Sequence, residues 1–140
     1  MLLRAGRCRR VVVVGTEPDD PDAVRLYATR TGAPAGAALR AGAACLIVTT
    51  VGAGDRPLAE LELPRDPTAG RDDGSDVDDL ARIGDTYGAA GVVHTALAVA
   101  RLGDGHASGR ARVVCGDATD GFRHLYVTPA TPVGAPDGVR

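Results

Sequence analysis

The sequence predicts an α/β domain with a mixed, roughly five-stranded sheet and two main helices. Three observations lead there. Residues 11–14 and 43–51 are near-continuous apolar runs of strand length, as expected for strands covered on both faces. Residues 89–102 place Ala89, Val92, Val93, Ala96, Leu97 and Ala100 at helical spacing. Glycine-rich and proline-rich stretches separate these segments, which is the punctuation of short, alternating elements.

The first strand, residues 11–14, follows Arg9 and Arg10 and ends at Gly15. A short helix is then expected, capped by Asp20 or Asp22 and carrying Val24, Leu26, Tyr27 and Thr31. Residues 32–42 read as a Gly/Ala/Pro-rich turn region, and 43–51 as the second strand. Residues 52–55 (GAGD) read as a hairpin-like turn into a third strand at 58–63, whose Leu/Glu alternation suits one wet face. Residues 64–79 carry Asp66, Asp72, Asp73, Asp76, Asp78 and Asp79 among glycines, the composition of a solvated loop.

The helix at 89–102 is apolar or small nearly all round, including Gly91, Ala98 and Val99, which predicts burial on more than one side. Two further strands are expected at 110–115 and 125–128, after a short Gly-Asp-Gly loop. Residues 1–128 would form one domain and 129–140, rich in Pro and Gly, a loose tail. No internal repeat is visible.

Composition bounds the function classes. The chain has 140 residues, enough for one domain and too few for two. Aromatics are only 3%, without Trp, so the core must be built from Val, Leu and Ala. The net charge is −2, which offers no basic field for nucleic acid. All 16 basic residues are arginines, a bias that fits GC-rich coding and not a mechanism. No apolar run nears the ~20 residues of a membrane span, and the N-terminus lacks a signal-peptide core, so a cytoplasmic protein is expected. Cys8, Cys45 and Cys115 lack metal-ligand spacing and read as small buried thiols in a reducing cytoplasm. No cofactor and no metal is expected.

Four stretches together resemble the ketosynthase branch of the thiolase superfamily. Residues 3–15 (LRAGRCRRVVVVG) are similar to the end of that family's nucleophile-bearing helix and the strand after it. Residues 42–48 (GAACLIV) are similar to its Gly-Ala-Ala-rich strand. Residues 84–91 (GDTYGAAG) resemble its Gly-His-Thr-x-Gly-Ala-Ala-Gly lead-in to a long buried helix. Residues 115–122 (CGDATDGF) resemble its Gly-rich, Phe-containing turn between the last two strands. The order of the motifs carries more weight than any one of them.

The resemblance implies one half of a thiolase-like fold, and it implies missing chemistry. The nucleophilic cysteine would lie before residue 1, so it has no counterpart here. The His-Gly-Thr-Gly-Thr segment would fall near 64–79, where this chain has an acidic loop. The second catalytic histidine would stand at position 85, which is Asp85. A ketosynthase needs a thiolate to take the acyl group and imidazoles to assist decarboxylation and steady the oxyanion. The expected role is therefore a non-catalytic partner subunit in polyketide or fatty-acid biosynthesis. Its partners would be a second copy or a full-length ketosynthase, together with acyl carrier protein. A lone half-unit would leave the 89–102 helix with an exposed apolar side in need of a cover.

An alternative is a degenerate acyltransferase acting on acyl-carrier-protein thioesters, and another is a small α/β binding module or relic fragment. The catalytic candidates are Asp85, Cys115 and His124. Cys115 and His124 flank the Gly-rich turn and would form a nucleophile–base pair if they met, but they read first as a core cysteine in one strand and an exposed histidine on the next. Asp85 reads first as a helix cap and only second as a relic active-site residue. Cys8 sits among Arg4, Arg7, Arg9 and Arg10, surroundings that favour a thiolate, but with no histidine near in sequence it reads first as a surface or half-buried cysteine. His94 reads as a core or interface histidine and His106 as a solvated one. The acidic run at 72–79 lacks calcium-loop spacing, and Val14-Gly15-Thr16 lacks a phosphate-loop sequel.

Overall fold

A computed structural model describes residues 3–30, 38–50, 56–64, 75–76, 84–105, 109–115 and 123–131. The expected turns at 32–37 and 52–55, His106 and most of the acidic segment lie outside the described residues.

Strand β1 (Arg10–Glu17) pairs antiparallel with β2 (Gly42–Thr49) over its whole length, with Val12 opposite Ile47 and Val14 opposite Cys45. Helix α1 (Pro21–Ala28) follows β1. Its cap is Asp20, in extended conformation, whose Oδ1 accepts from the Asp22 N–H at 2.8 Å, with Pro21 pre-set for the first turn. Strand β3 (Ala59–Glu62) pairs not with β2 but with β6 (Arg123–Pro129), Leu61 opposite Val127. Strand β6 therefore runs one residue past the expected domain edge at 128. Strand β5 (Ala111–Cys115) lies antiparallel on the other side of β6, and the two-residue β4 (Ser75–Asp76) runs parallel to β5. A 3-10 turn (Tyr87–Ala89) leads into helix α2 (Ala90–Gly103).

The class is mixed α/β with two helices among the described residues, but the single five-stranded sheet is not formed. Strands β1 and β2 make a two-stranded sheet. The second sheet has the order β3-β6-β5-β4, of which three strands are of ordinary length. The reason lies in α2. It packs against both sheets, while β1 and β2 approach none of β3–β6 among the described elements. A helix apolar nearly all round can serve two layers at once, so the strands need not merge into one sheet.

The same geometry overturns the exposed helix side. Within α2 only Ala100 and Gly103 are exposed, and His94, Thr95 and Ala98 are buried. The core between α2 and the second sheet is Ala98, Ala111, Val113 and Val127, edged by Ala59, Leu97, Val99, Leu102 and Leu125. On the side of the first sheet, a Cβ on Gly15 would come within 2.9 Å of the Val92 side chain and 3.1 Å of the Ala89 Cα. Glycine there lets β1 lie directly on the helix start.

Open apolar surface lies instead on β1 and β2, with further exposed side chains at Val24 and Leu26 of α1 and at Leu58, Leu61 and Leu63 around β3. Val12 is 61% exposed, Val14 60% and Ile47 69%. Residues 11–14 are thus not covered on both faces, as their apolar continuity suggests. Gly15 is buried, and alternate positions turn outward with nothing described above them.

Candidate functional site

Asp85 is held from both directions along the chain. Gly84 before it has φ +77, and a Cβ there would collide with Arg40 Cγ, so the close pass favours glycine. The Asp85 backbone then bridges to the segment before β2. Its N–H donates to the Ala38 carbonyl at 3.2 Å, and its own carbonyl accepts from the Arg40 N–H at 2.8 Å.

The carboxylate is buried and engaged on both oxygens. Oδ1 accepts from the Tyr87 N–H at 2.8 Å, closing the turn that starts the helix. Oδ2 accepts from the Tyr27 hydroxyl, which arrives from α1, 58 residues earlier. Burial, together with the bond to Asp85 and its charge, pushes the Tyr27 hydroxyl up to about 12, with the nearby Arg30 pulling the other way. The Arg30 guanidinium stands 4.5 Å from the Tyr87 ring centre and 5.7 Å from that of Tyr27, and the two rings meet edge to face at 6.2 Å. The cluster ties α1, the turn and the segment before β2 into one node. A second tie lies alongside, where the Gly88 N–H donates to Glu17 Oε2 at 2.9 Å and joins the end of β1 to the same turn.

Chemically this node accepts hydrogen bonds and offers none from Asp85. A carboxylate filled by a tyrosine hydroxyl and a backbone N–H cannot donate to a developing oxyanion as an imidazole would. Asp85 is not itself the cap, which falls at Thr86 for the 3-10 turn and at Ala89 for α2; one residue earlier, its carboxylate closes a side-chain turn on the Tyr87 N–H, with Tyr27 as its second partner.

The other candidates are not brought together. Cys115 is in register with Arg123, and His124 with Val114. Their backbones occupy successive rungs of the β5–β6 ladder rather than one paired rung. The His124 ring packs edge to face on Tyr126 at 5.4 Å. Cys8 is half-buried in the turn before β1, and Cys45 is exposed on β2, so the expectation of a buried thiol fails at Cys45. His94 is buried on α2, and neither ring nitrogen has a hydrogen-bond partner. Among the described residues no group of three or more His, Cys, Asp or Glu could hold a metal, and no helix is long and apolar enough to cross a membrane.

Tyr27 and Arg30 carry no signal in the sequence. Tyr27 reads only as one more residue of a short amphipathic helix, and its partner is far along the chain. Comparison with family models, with curated proteins and with solved structures finds no match.

Proposed function

We propose that the chain is a ketosynthase-like protein that lacks the condensing chemistry and acts as a partner subunit in polyketide or fatty-acid biosynthesis. The observation that carries this reading is the state of Asp85. At the position where the resemblance puts a catalytic histidine, the side chain is spent on holding the fold, by Tyr27 on one oxygen and the Tyr87 N–H on the other. The separation of Cys115 and His124 onto successive rungs also weighs against a covalent acyl-transfer site. The helix is covered, and the open face of β1 and β2 is the apolar surface that a partner would cover.

Two measurements test the reading. Incubation with acyl thioesters followed by intact-mass spectrometry should give no acyl adduct. An adduct lost on Cys115→Ala or Cys8→Ala would make the chain a degenerate acyltransferase instead. Immobilised protein should bind a full-length ketosynthase or its acyl carrier protein; absence of binding to both would remove the partner role and leave a small α/β binding module.

A further inference from the structure

The β1–β2 unit has one open face, and its composition is ordered from end to end. The outward positions on β1 are Arg10, Val12, Val14 and Thr16, and those across from them on β2 are Thr49, Ile47, Cys45 and Ala43. Seven of these eight positions are exposed, Thr49 being intermediate. Between Arg10 and the far end no charge interrupts the strip.

Charge gathers at its ends instead. Arg4, Arg7 and Arg9 are exposed in the turn that leads into β1, and Asp19 and Asp20 are exposed just after β1 leaves the sheet. One end of the strip is therefore basic, the middle apolar and the other end acidic on balance, with Asp19 and Asp20 against the exposed Arg40 ahead of β2. A surface of that kind is complementary to itself when turned end for end.

Size sets a further requirement. Eight rungs at about 3.3 Å each and two strands about 4.8 Å apart give a strip roughly 26 Å long and 10 Å wide, on the order of 260 Å². A stable interface takes about 800 Å² from each partner. The apolar strip alone falls short, so the cover must also engage the charged ends.

We propose that this strip is the contact face between two copies of the chain, packed sheet on sheet with their strands antiparallel. A two-fold axis across the strands sets Val12 and Ile47 of one copy over Val14 and Cys45 of the other. It also brings the arginine end of each copy to the Asp19–Asp20 end of its mate. Side chains that stand out from a sheet are covered by a second layer about 10 Å away, not by pairing at the strand edge. The inference deepens the partner-subunit reading and rests on it for the expectation that the chain assembles; the face and its occupant come from the strip.

Sedimentation equilibrium of the whole chain over a concentration series is the test. A reversible dimer is expected, weaker at high salt than at low because its ends are charged. Val14→Asp and Ile47→Asp should each weaken it by about tenfold or more, and both change side chains that already face water in the single copy. The double reversal Arg7→Glu with Arg9→Glu should weaken it too, and adding Asp19→Arg should recover part of the loss. Maleimide labelling of Cys45, followed by peptide mass mapping, should slow as protein concentration rises. A monomer throughout, or a dimer indifferent to Val14→Asp and Ile47→Asp, overturns the inference. A monomer that still binds a ketosynthase would overturn the self-contact and leave the partner-subunit reading standing, whereas a dimer that binds neither ketosynthase nor carrier protein would do the reverse.

Discussion

Replacing Asp85 with alanine separates a structural role from a catalytic one. The substitution removes two hydrogen bonds to a buried carboxylate. Tyr87 is 47% exposed, so water can reach the turn and part of the cost at its N–H is recovered. Tyr27 is 7% exposed, and its hydroxyl would be left in a dry site without an acceptor. A hydrogen bond to a charged group is worth roughly 1.5–3 kcal/mol, and a stranded buried hydroxyl costs about 1–3 kcal/mol. The two figures overlap because they describe the same loss, so the expected destabilisation is about 2–3 kcal/mol. For a chain of this length that lowers the melting temperature by roughly 6–12 °C. Circular dichroism melts and urea titrations of Asp85→Ala, Tyr27→Phe and the double variant supply a full cycle. The pair should couple by at least about 1 kcal/mol. A loss under about 0.5 kcal/mol with no coupling would refute the node as a structural element and return Asp85 to the list of chemical candidates.

Three other outcomes follow from the same contacts. Gly15→Ala places a methyl group 2.9 Å from the Val92 side chain and near the Ala89 backbone, and should cost about 1–3 kcal/mol in urea unfolding, with Gly15→Val worse. Tyr27 should ionise with a midpoint near 12, seen as a tyrosinate absorbance step that Tyr27→Phe deletes. Since its folded value lies above the usual 10, the stability it lends is whole below pH 10 and fades as pH rises toward 12, so the wild-type chain should lose stability over that window faster than Tyr27→Phe. Asp20→Ala removes the cap of α1 and should cost about 1 kcal/mol, with faster amide exchange confined to residues of that helix.

The elements themselves were legible because their signals are local. The β-branched run after Arg10, the Asp20-Pro21 helix start and the spacing of Val92, Val93, Ala96 and Leu97 each lie within a few residues. Their assembly was not legible. Continuity of apolar residues at 11–14 says that a strand forms there, but not how many layers cover it, and here one face is open. The pairing of β3 with β6 spans more than 60 residues, and no local pattern distinguishes it from a hairpin with β2. At the site, Asp85 was visible as a departure from a motif and as a cap. Its tie to Tyr27 was invisible, since a tyrosine on an amphipathic helix looks the same whether its hydroxyl meets water or a carboxylate.

The placement of α2 also bears on how the molecule comes apart. The two sheets share no hydrogen-bonded rung and no close approach among the described elements, so any cooperativity between them is transmitted through one helix and the turn before it. The contact surfaces there are built from Gly15, Ala89, Val92, Ala98 and Leu97, small groups whose individual contributions are modest. Weakening one side of the helix should therefore uncouple the halves before it unfolds both. A single melting transition would split into two, with the β1–β2 ladder exchanging its amide protons independently of the β5–β6 ladder.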